Sequence, residues 1–374
     1  MSNQSGRLLS LDMFRGFTIA LMILVNNPGS WSYVYPPLLH AKWHGWTPTD
    51  LVFPFFLFIV GVAMSLSFSR RLERGDKLSQ LFGKVIRRTL IIFAIGLFLN
   101  LFPFFNFGEM RIPGVLQRIA ICYFFASTIV LLSGKKWQIG WTVFLLAIYW
   151  ILIKIIPVPG YGAGVLEPKG NLCWYIDSHL LAGHTWRGAP VPGFDPEGIF
   201  STIPAIATVM FGVFTGDWLR SDRDKYEKVS GLFVAGNIGL VLGIIMNIWL
   251  PINKNLWTSS YSVFMAGMAA IFLAMSYWIV DIKGFKSWTK PFVVFGSNAI
   301  VVYALSGIIG RITIYTKWTQ PDGTTISLKT WIYENLFHSW AGNYFSSLLY
   351  PIMWNLILLG LMWILYRKKI FIKV

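Results

Sequence analysis

The stretch RLLSLDMFRGFTIALMILVNNPGSWSYVYPPLLHAKWHGWTPTDLVFPFFLFIVG, residues 7–61, holds two apolar segments, 14–25 and 51–61, around a loop carrying His40, His44 and Asp50. The first segment has Asp12 and Arg15 at its entrance and Asn26 at its exit. Charged and amide side chains on a lipid-spanning helix are costly, so by default they mark a site. Asp12 and Arg15, three apart, share a helix face. Arg15 and Asn26 are eleven apart, close to three whole turns, so they share a face across roughly 16 Å of rise. Taken singly, Arg15 snorkelling to headgroups and Asn26 capping the helix end are equally good readings. The aligned set, together with the histidine loop, reads as a site.

Outward from this stretch the chain stays apolar. Of its 374 residues 55% are hydrophobic, 17% aromatic and only 13% charged, and the apolar residues fall in long runs. Such a chain is an all-α polytopic integral membrane protein, read here as one transmembrane domain over 1–374. Ten spans are expected, near 10–27, 51–69, 86–104, 112–133, 138–157, 199–219, 229–251, 260–281, 290–312 and 346–366. The net charge of +16 does not point to nucleic acid, because the basic residues cluster in short loops between spans. Arg7, Arg15, the loops around 70–88, 135–136, 220–228 and 283–290, and the tail from Arg367 hold 22 of the 32 Lys and Arg residues. That bias places both termini in the cytoplasm and the His40 loop outside, as in a bacterial inner membrane protein with its site facing the periplasm. Asp12 and Arg15 interrupt any signal-peptide pattern, so the first span is expected to be a permanent anchor. Two cysteines, Cys122 and Cys173, do not make a disulfide framework.

A segment of about forty residues, 158–198, separates two groups of five spans. It is rich in Gly and Pro and holds Asp177, His179, His184, Arg187, Asp195 and Glu197. Its tryptophans and other apolar residues argue for order. A second outer segment, 315–345, carries turn chemistry at Pro321–Asp322–Gly323. Both read as caps over a cavity.

Several motifs resemble one family. RLLSLDMFRG, MILVNNPGSW, LLHAKWHGWTPTDLVFPFFLFIVG, RIPGVLQRIA, FDPEGIFSTIPAI and NKNLWTSSY are similar to the transmembrane glucosamine N-acetyltransferases, heparan-α-glucosaminide N-acetyltransferase and its bacterial relatives. The resemblance runs from about Arg7 to the last span. It implies acetyl-CoA as acetyl donor, an amino-sugar acceptor, a homodimer, and an active histidine at His40. It also places a functional asparagine at Asn26.

By its chemistry His40 is a general base for an attacking amine or a nucleophile for the acetyl group. Packed among Tyr35, Trp43 and Trp46 it is equally an interfacial histidine, and the resemblance decides for the catalytic reading. Asn26 can donate to a thioester oxygen as it becomes an oxyanion. Asp50, after Thr47 and Thr49, either caps a helix or orients the imidazole. His44, which departs from the lysosomal pattern, is a sugar-contact candidate, as are Glu197, Lys254 and Trp257. Trp257 reads as an interfacial aromatic whose alternative role is a sugar-stacking face. There is no HExxH, cysteine pair, GxGxxG or P-loop, so no metal is expected and donor phosphates must be held by side chains. Candidates are Arg15 with Asp12 near the cytoplasmic end, and Gln117, Arg118 and Asn298 within spans. The bland reading of Arg118 is an ion pair with Glu197 or Asp50.

The leading reading is a membrane N-acetyltransferase working between cytoplasmic acetyl-CoA and an outer glucosamine-type amine. The rivals are an amino-sugar or peptide transporter, since intramembrane Asp, Arg and Asn also mark transport paths, and an O-acyltransferase acting on cell-wall glycans. Acetyl-CoA turnover separates the first rival, and competition by glucosamine the second.

Overall fold

The computed structural model describes residues 8–372; Arg7 and Lys373, counted above, lie outside them. In chain order the helices are α1 (Leu9–Asn26), α2 (Val52–Glu73, entered through a 3-10 turn at Pro48–Leu51), α3 (Leu78–Leu101), α4 (Val115–Leu132) and α5 (Lys135–Ile155). A short hairpin, β1 (Pro157–Val158) and β2 (Gly162–Ala163), then leads to α6 (Leu172–Leu180), α7 (Thr202–Arg220), α8 (Lys225–Met246) and α9 (Ser259–Tyr277). The rest comprises α10 (Lys290–Ser297), α11 (Ala299–Tyr315), a second hairpin of β3 (Lys317–Thr319) and β4 (Thr325–Ser327), α12 (Leu328–Ile332), α13 (Ser339–Ala341) and α14 (Asn343–Arg367). The protein is an all-α polytopic membrane protein.

Among the described residues, eight helices are long and apolar enough to cross a membrane. Two of the ten expected spans look different. The expected continuous span at 290–312 is two helices, α10 and α11, meeting at 74° beside Asn298. The run Gly296–Ser297–Asn298 supplies the break, because neither glycine nor asparagine favours a helix interior. The third, α3, carries Lys84, Arg87 and Arg88 in its first half. Its uncharged part, 89–101, rises roughly 20 Å, short of a hydrocarbon core of about 30 Å.

The chain divides into two compact units. The first holds the described residues up to His40, Thr47–Val52 and everything from Ser276; the second holds Ala41–Trp46 and Phe53–Met275. In the first, α1 packs on α10, α11 and α14. Glycine makes the tightest of these contacts: a Cβ on Gly16 would stand 1.7 Å from the Phe292 carbonyl oxygen, and one on Gly296 would stand 2.2 Å from that of Asp12. Lipid gives helices little hydrophobic reason to associate, so close backbone packing at small residues does that work. In the second unit α7 is largely buried, whereas α5 and α8 are mostly exposed. Its small residues Gly212 and Gly216 let α2 approach, and a Cβ on Gly212 would meet the Phe58 oxygen at 2.0 Å.

The segment 158–198 is an ordered lobe. Its core joins Val158, Leu172, Cys173 and Phe194 to Tyr149, Phe200, Leu250 and Leu256. The second outer segment folds as the β3–β4 hairpin, turning through Gly323 at φ +83°. Cys122 and Cys173 are free and buried.

Candidate functional site

In the first unit His40 follows a 3-10 turn at Pro36–Leu38, and a second one, Pro48–Leu51, begins eight residues later. Asp50, buried at 1% exposure, serves both His40 and the second turn. Its Oδ1 lies 2.7 Å from His40 Nδ1, and its Oδ2 accepts from the Thr47 backbone N–H at 2.9 Å. The Thr47 hydroxyl lies 3.1 Å from the same oxygen and 2.6 Å from the Leu39 carbonyl. Thr49 ties its hydroxyl to the Pro37 carbonyl at 3.1 Å. Capping and imidazole orientation, two readings of Asp50 from sequence, therefore belong to its two oxygens. A carboxylate only accepts, so Nδ1 of His40 is the donor in this pair. The imidazole edge is 43% exposed.

At the other end of α1, Arg15 pairs with Asp12 at 3.3 Å and approaches the Gly296 carbonyl at 3.5 Å. Asn26 is exposed and lines a cavity with Asn27, Trp31, Lys329 and Tyr350, whose walls do not include His40. Asn298 holds the C-terminal tail. Its amide donates to the Ile370 carbonyl at 3.1 Å and accepts from the Ile372 N–H at 2.8 Å, clasping the tail at the break between α10 and α11.

In the second unit the segment Ala41–Trp46 is stitched to neighbouring backbone. Gly45 N–H donates to Ile252 O at 2.7 Å, and Trp43 Nε1 to Leu166 O at 2.8 Å. Asn253 offers its amide to His44 Nδ1 at 3.2 Å, which puts the His44 proton on Nε2. Burial lowers the pKa of His44, partly offset by Glu167.

The expected Arg118–Glu197 pair does not form. Glu197 takes Arg111 instead, and Arg111 also grips Asp195 at 2.8 and 2.6 Å through two nitrogens. Arg111 sits in the extended run before α4, where its side chain can reach the lobe; Arg118 is two turns deeper. Burial alone would disfavour the charged guanidinium, but Glu197 and Asp195 reverse that and raise its pKa. Burial would likewise raise Glu197, and Arg111 with Arg118 and Lys254 lowers it. This clamp is joined by a two-way backbone link, in which Ile112 N–H donates to His184 O at 2.9 Å and His184 Nδ1 to Met110 O at 2.8 Å. Arg111 was not among the site residues expected from sequence. The signal was the acidic DPE run at Asp195–Glu197, which needs a cation.

Arg118, at 1% exposure, bonds Ser201 Oγ and the Gly198 carbonyl and lies 5.1 Å from the Trp257 ring. Trp257 is not an interfacial or sugar-stacking ring, as expected from sequence, because it is 1% exposed. Its indole N–H meets Thr208 Oγ1 at 3.2 Å, and Phe53 and Tyr261 pack edge-on at 5.0 and 5.2 Å. A buried tryptophan needs such a hydrogen-bond partner. Gln117 is also buried, wedged against Gly96 and Gly114. Lys254 is partly buried and acts electrostatically on Glu197. Among the described residues no group of His, Cys, Asp and Glu is arranged to hold a metal ion.

Asp177 in α6 is fully buried, with Oδ1 accepting from Ile199 N–H at 3.0 Å and Oδ2 without a partner. Burial pushes its pKa up to about 7, against the pull of that amide. The folded form thus holds a proton that the unfolded chain releases near pH 4, so stability falls as pH rises from about 4 to 7 and stays reduced above it. Asp177→Asn keeps the acceptor for Ile199 and removes the titration. It should raise the thermal midpoint in detergent at pH 8, with a few kcal/mol at stake, raise it by much less at pH 5, and leave it nearly unchanged at pH 4. Equal effects at pH 8 and pH 4 would refute a neutral Asp177.

Comparison with known proteins follows the same motifs. The family described as heparan-alpha-glucosaminide N-acetyltransferase, catalytic, matches residues 7–250. The human heparan-alpha-glucosaminide N-acetyltransferase is 31% identical over 422 aligned positions, covering 98% of this chain and 60% of the human protein. The mouse protein is 29% identical over 426, covering 100% and 61%. The chain thus spans about three fifths of the length of the curated relatives it matches. Together, the family match over residues 7–250 and the likeness along the rest show that this chain belongs to the heparan-alpha-glucosaminide N-acetyltransferase catalytic family.

Proposed function

We propose that the protein is an integral-membrane N-acetyltransferase that moves acetyl from cytoplasmic acetyl-CoA to the amine of a glucosamine-type sugar arriving from the opposite side. The observation that supports this reading is the His40–Asp50 pair at 2.7 Å, in which the carboxylate is placed to orient the imidazole and leave Nε2 for the substrate. In the step envisaged, the sugar amine attacks the thioester carbonyl while His40 Nε2 takes the amine proton. The C–S bond then breaks, and the imidazolium returns the proton to the departing thiolate. Asn26, with its exposed amide, donates to the carbonyl oxygen as charge builds there. Arg15, paired with Asp12 at the basic end of α1, holds donor phosphates. The excess of Lys and Arg in the loops on that side orients the chain with both termini in the cytoplasm. The charged coenzyme then stays in the cytoplasm and only its acetyl-bearing arm enters the protein.

Purified protein in detergent should release free coenzyme thiol from acetyl-CoA when given glucosamine or a glucosamine-terminated oligosaccharide, and yield the N-acetyl sugar. No thiol release with any amino sugar, alongside uptake of an amino sugar by proteoliposomes, would replace the enzyme with a transporter.

A further inference from the structure

In the second unit the end of α2 and the first half of α3 carry seven Lys and Arg between residues 70 and 88, against two carboxylates, Glu73 and Asp76. Both carboxylates are taken. Asp76 holds Lys84 at 3.0 Å and Arg71 at 3.6 Å, and Glu73 holds Arg220 at 2.9 Å. Arg88 turns inward, its guanidinium 4.8 Å from the centre of the Tyr123 ring on α4. Arg87 is exposed and pairs with no carboxylate among the described residues.

The face on which Arg87 stands decides what can meet it. Leu81, Val85, Ile92 and Leu99 are buried, and at 3.6 residues per turn they lie within about 40° of one another. That is the face α3 packs against α4. Ile86, Arg87, Leu90 and Phe98 are exposed and point more than about 90° away from it. On a helix in a bilayer that outward face meets lipid, so Arg87 stands on the lipid side among apolar neighbours. A cation there is costly unless it reaches the headgroups. Its planar fork matches a phosphate through two nitrogens at once.

We propose that this half of α3 is a binding site for an anionic phospholipid, in which Arg87 takes the headgroup phosphate and an acyl chain lies along Ile86, Leu90 and Phe98. The phosphodiester supplies the anion that no described carboxylate gives Arg87. The surplus of cations at the turn between α2 and α3 selects a headgroup with no ammonium of its own. The short uncharged part of α3 is accommodated in the same way, because the headgroup comes down to Arg87 and the bilayer thins there. A soluble phosphate would gain nothing from the apolar flanks, and a second copy of this chain would bring the same cations against these.

Native mass spectrometry of the purified protein in a neutral detergent counts bound lipid and gives its affinity. Dioleoylphosphatidylglycerol should bind at least ~5-fold more tightly than dioleoylphosphatidylcholine, whose ammonium would stand among the cations. Arg87→Gln should weaken phosphatidylglycerol binding by ~10-fold or more, the size of one lost charge-assisted hydrogen bond. Arg87→Lys, which keeps the charge and loses the fork, should fall between the parent and Arg87→Gln. Lys225→Gln removes an equally exposed cation at the start of α8 and should leave the affinity nearly unchanged. Without lipid, all three variants should match the thermal midpoint of the parent. Equal affinity for the two lipids would overturn the site, as would equal losses in Arg87→Gln and Lys225→Gln, which mean a diffuse charge effect. Displacement of the bound lipid by inorganic phosphate or by coenzyme A would also overturn it, in favour of a soluble phosphate ligand.

Discussion

His40→Ala should lower the turnover of acetyl-CoA with an amino sugar by about 10²–10⁴-fold, the usual contribution of a positioned general base. As the neutral amine attacks, its nitrogen gains positive charge and must give up a proton, and in the proposed step His40, tied to Asp50 at 2.7 Å through Nδ1, takes it at Nε2. Because the imidazole edge is 43% exposed, its loss removes little packing. It does leave Asp50 one partner short, so His40→Gln, which restores a donor, is the companion variant. Both should keep the thermal midpoint within a few degrees and both should be inactive. Turnover within tenfold of the parent in either would end the general-base assignment. The route is tested separately, by mixing enzyme with labelled acetyl-CoA and no sugar. Direct transfer predicts no burst of free coenzyme. A stoichiometric burst with label retained on His40 would mean an acetyl-imidazole intermediate instead.

What the sequence shows of this protein depends on whether a property is local. The apolar runs and the stripe Asp12–Arg15–Asn26 are matters of periodicity, and α1 runs from Leu9 to Asn26 almost as the spacing predicts. The pairing of His40 with Asp50 spans ten residues closed by one turn, so it too was within reach of Thr47 and Thr49 as turn formers. The partner of Glu197 was not. Arg111 and Arg118 are both cations near the start of α4, and choosing between them needs the position of the lobe 80 residues away. Trp257 misleads for a related reason. An aromatic at the end of an apolar run looks interfacial, but the chain turns there through φ +47° and carries the ring inward to Thr208 and Arg118. The break at Asn298 escapes hydropathy because α10 and α11 are both apolar, and composition carries no direction.

Asp50→Asn, a change of one atom, should cost turnover nearly as much as losing His40. The parent carboxylate accepts on both sides, from His40 Nδ1 at 2.7 Å and from Thr47 N–H at 2.9 Å. An amide has one acceptor and one donor end and satisfies only one of the two. Thr47 N–H is a backbone donor that cannot change its character, so the amide oxygen turns to it and the NH₂ faces the imidazole. His40 then accepts at Nδ1 and carries its proton on Nε2, where the base should be. The opposite orientation sets two donors against each other in a buried turn, at a cost of about 1–3 kcal/mol, so it is populated at roughly a tenth or less. Losing the carboxylate also removes the charge that steadies the imidazolium. The analogous change in the serine-protease triad drops turnover by about 10⁴ while leaving the geometry intact, and a loss of about 10²–10⁴ is expected here. Asp50 acts through His40, so rate alone does not distinguish it from a residue that merely holds the turn. The ¹⁵N shifts of His40 do, because they should move from the Nδ1–H to the Nε2–H pattern in Asp50→Asn with the thermal midpoint close to that of the parent. Unchanged tautomer shifts, or turnover within tenfold of the parent, would mean that Asp50 is only the cap of the turn that opens α2.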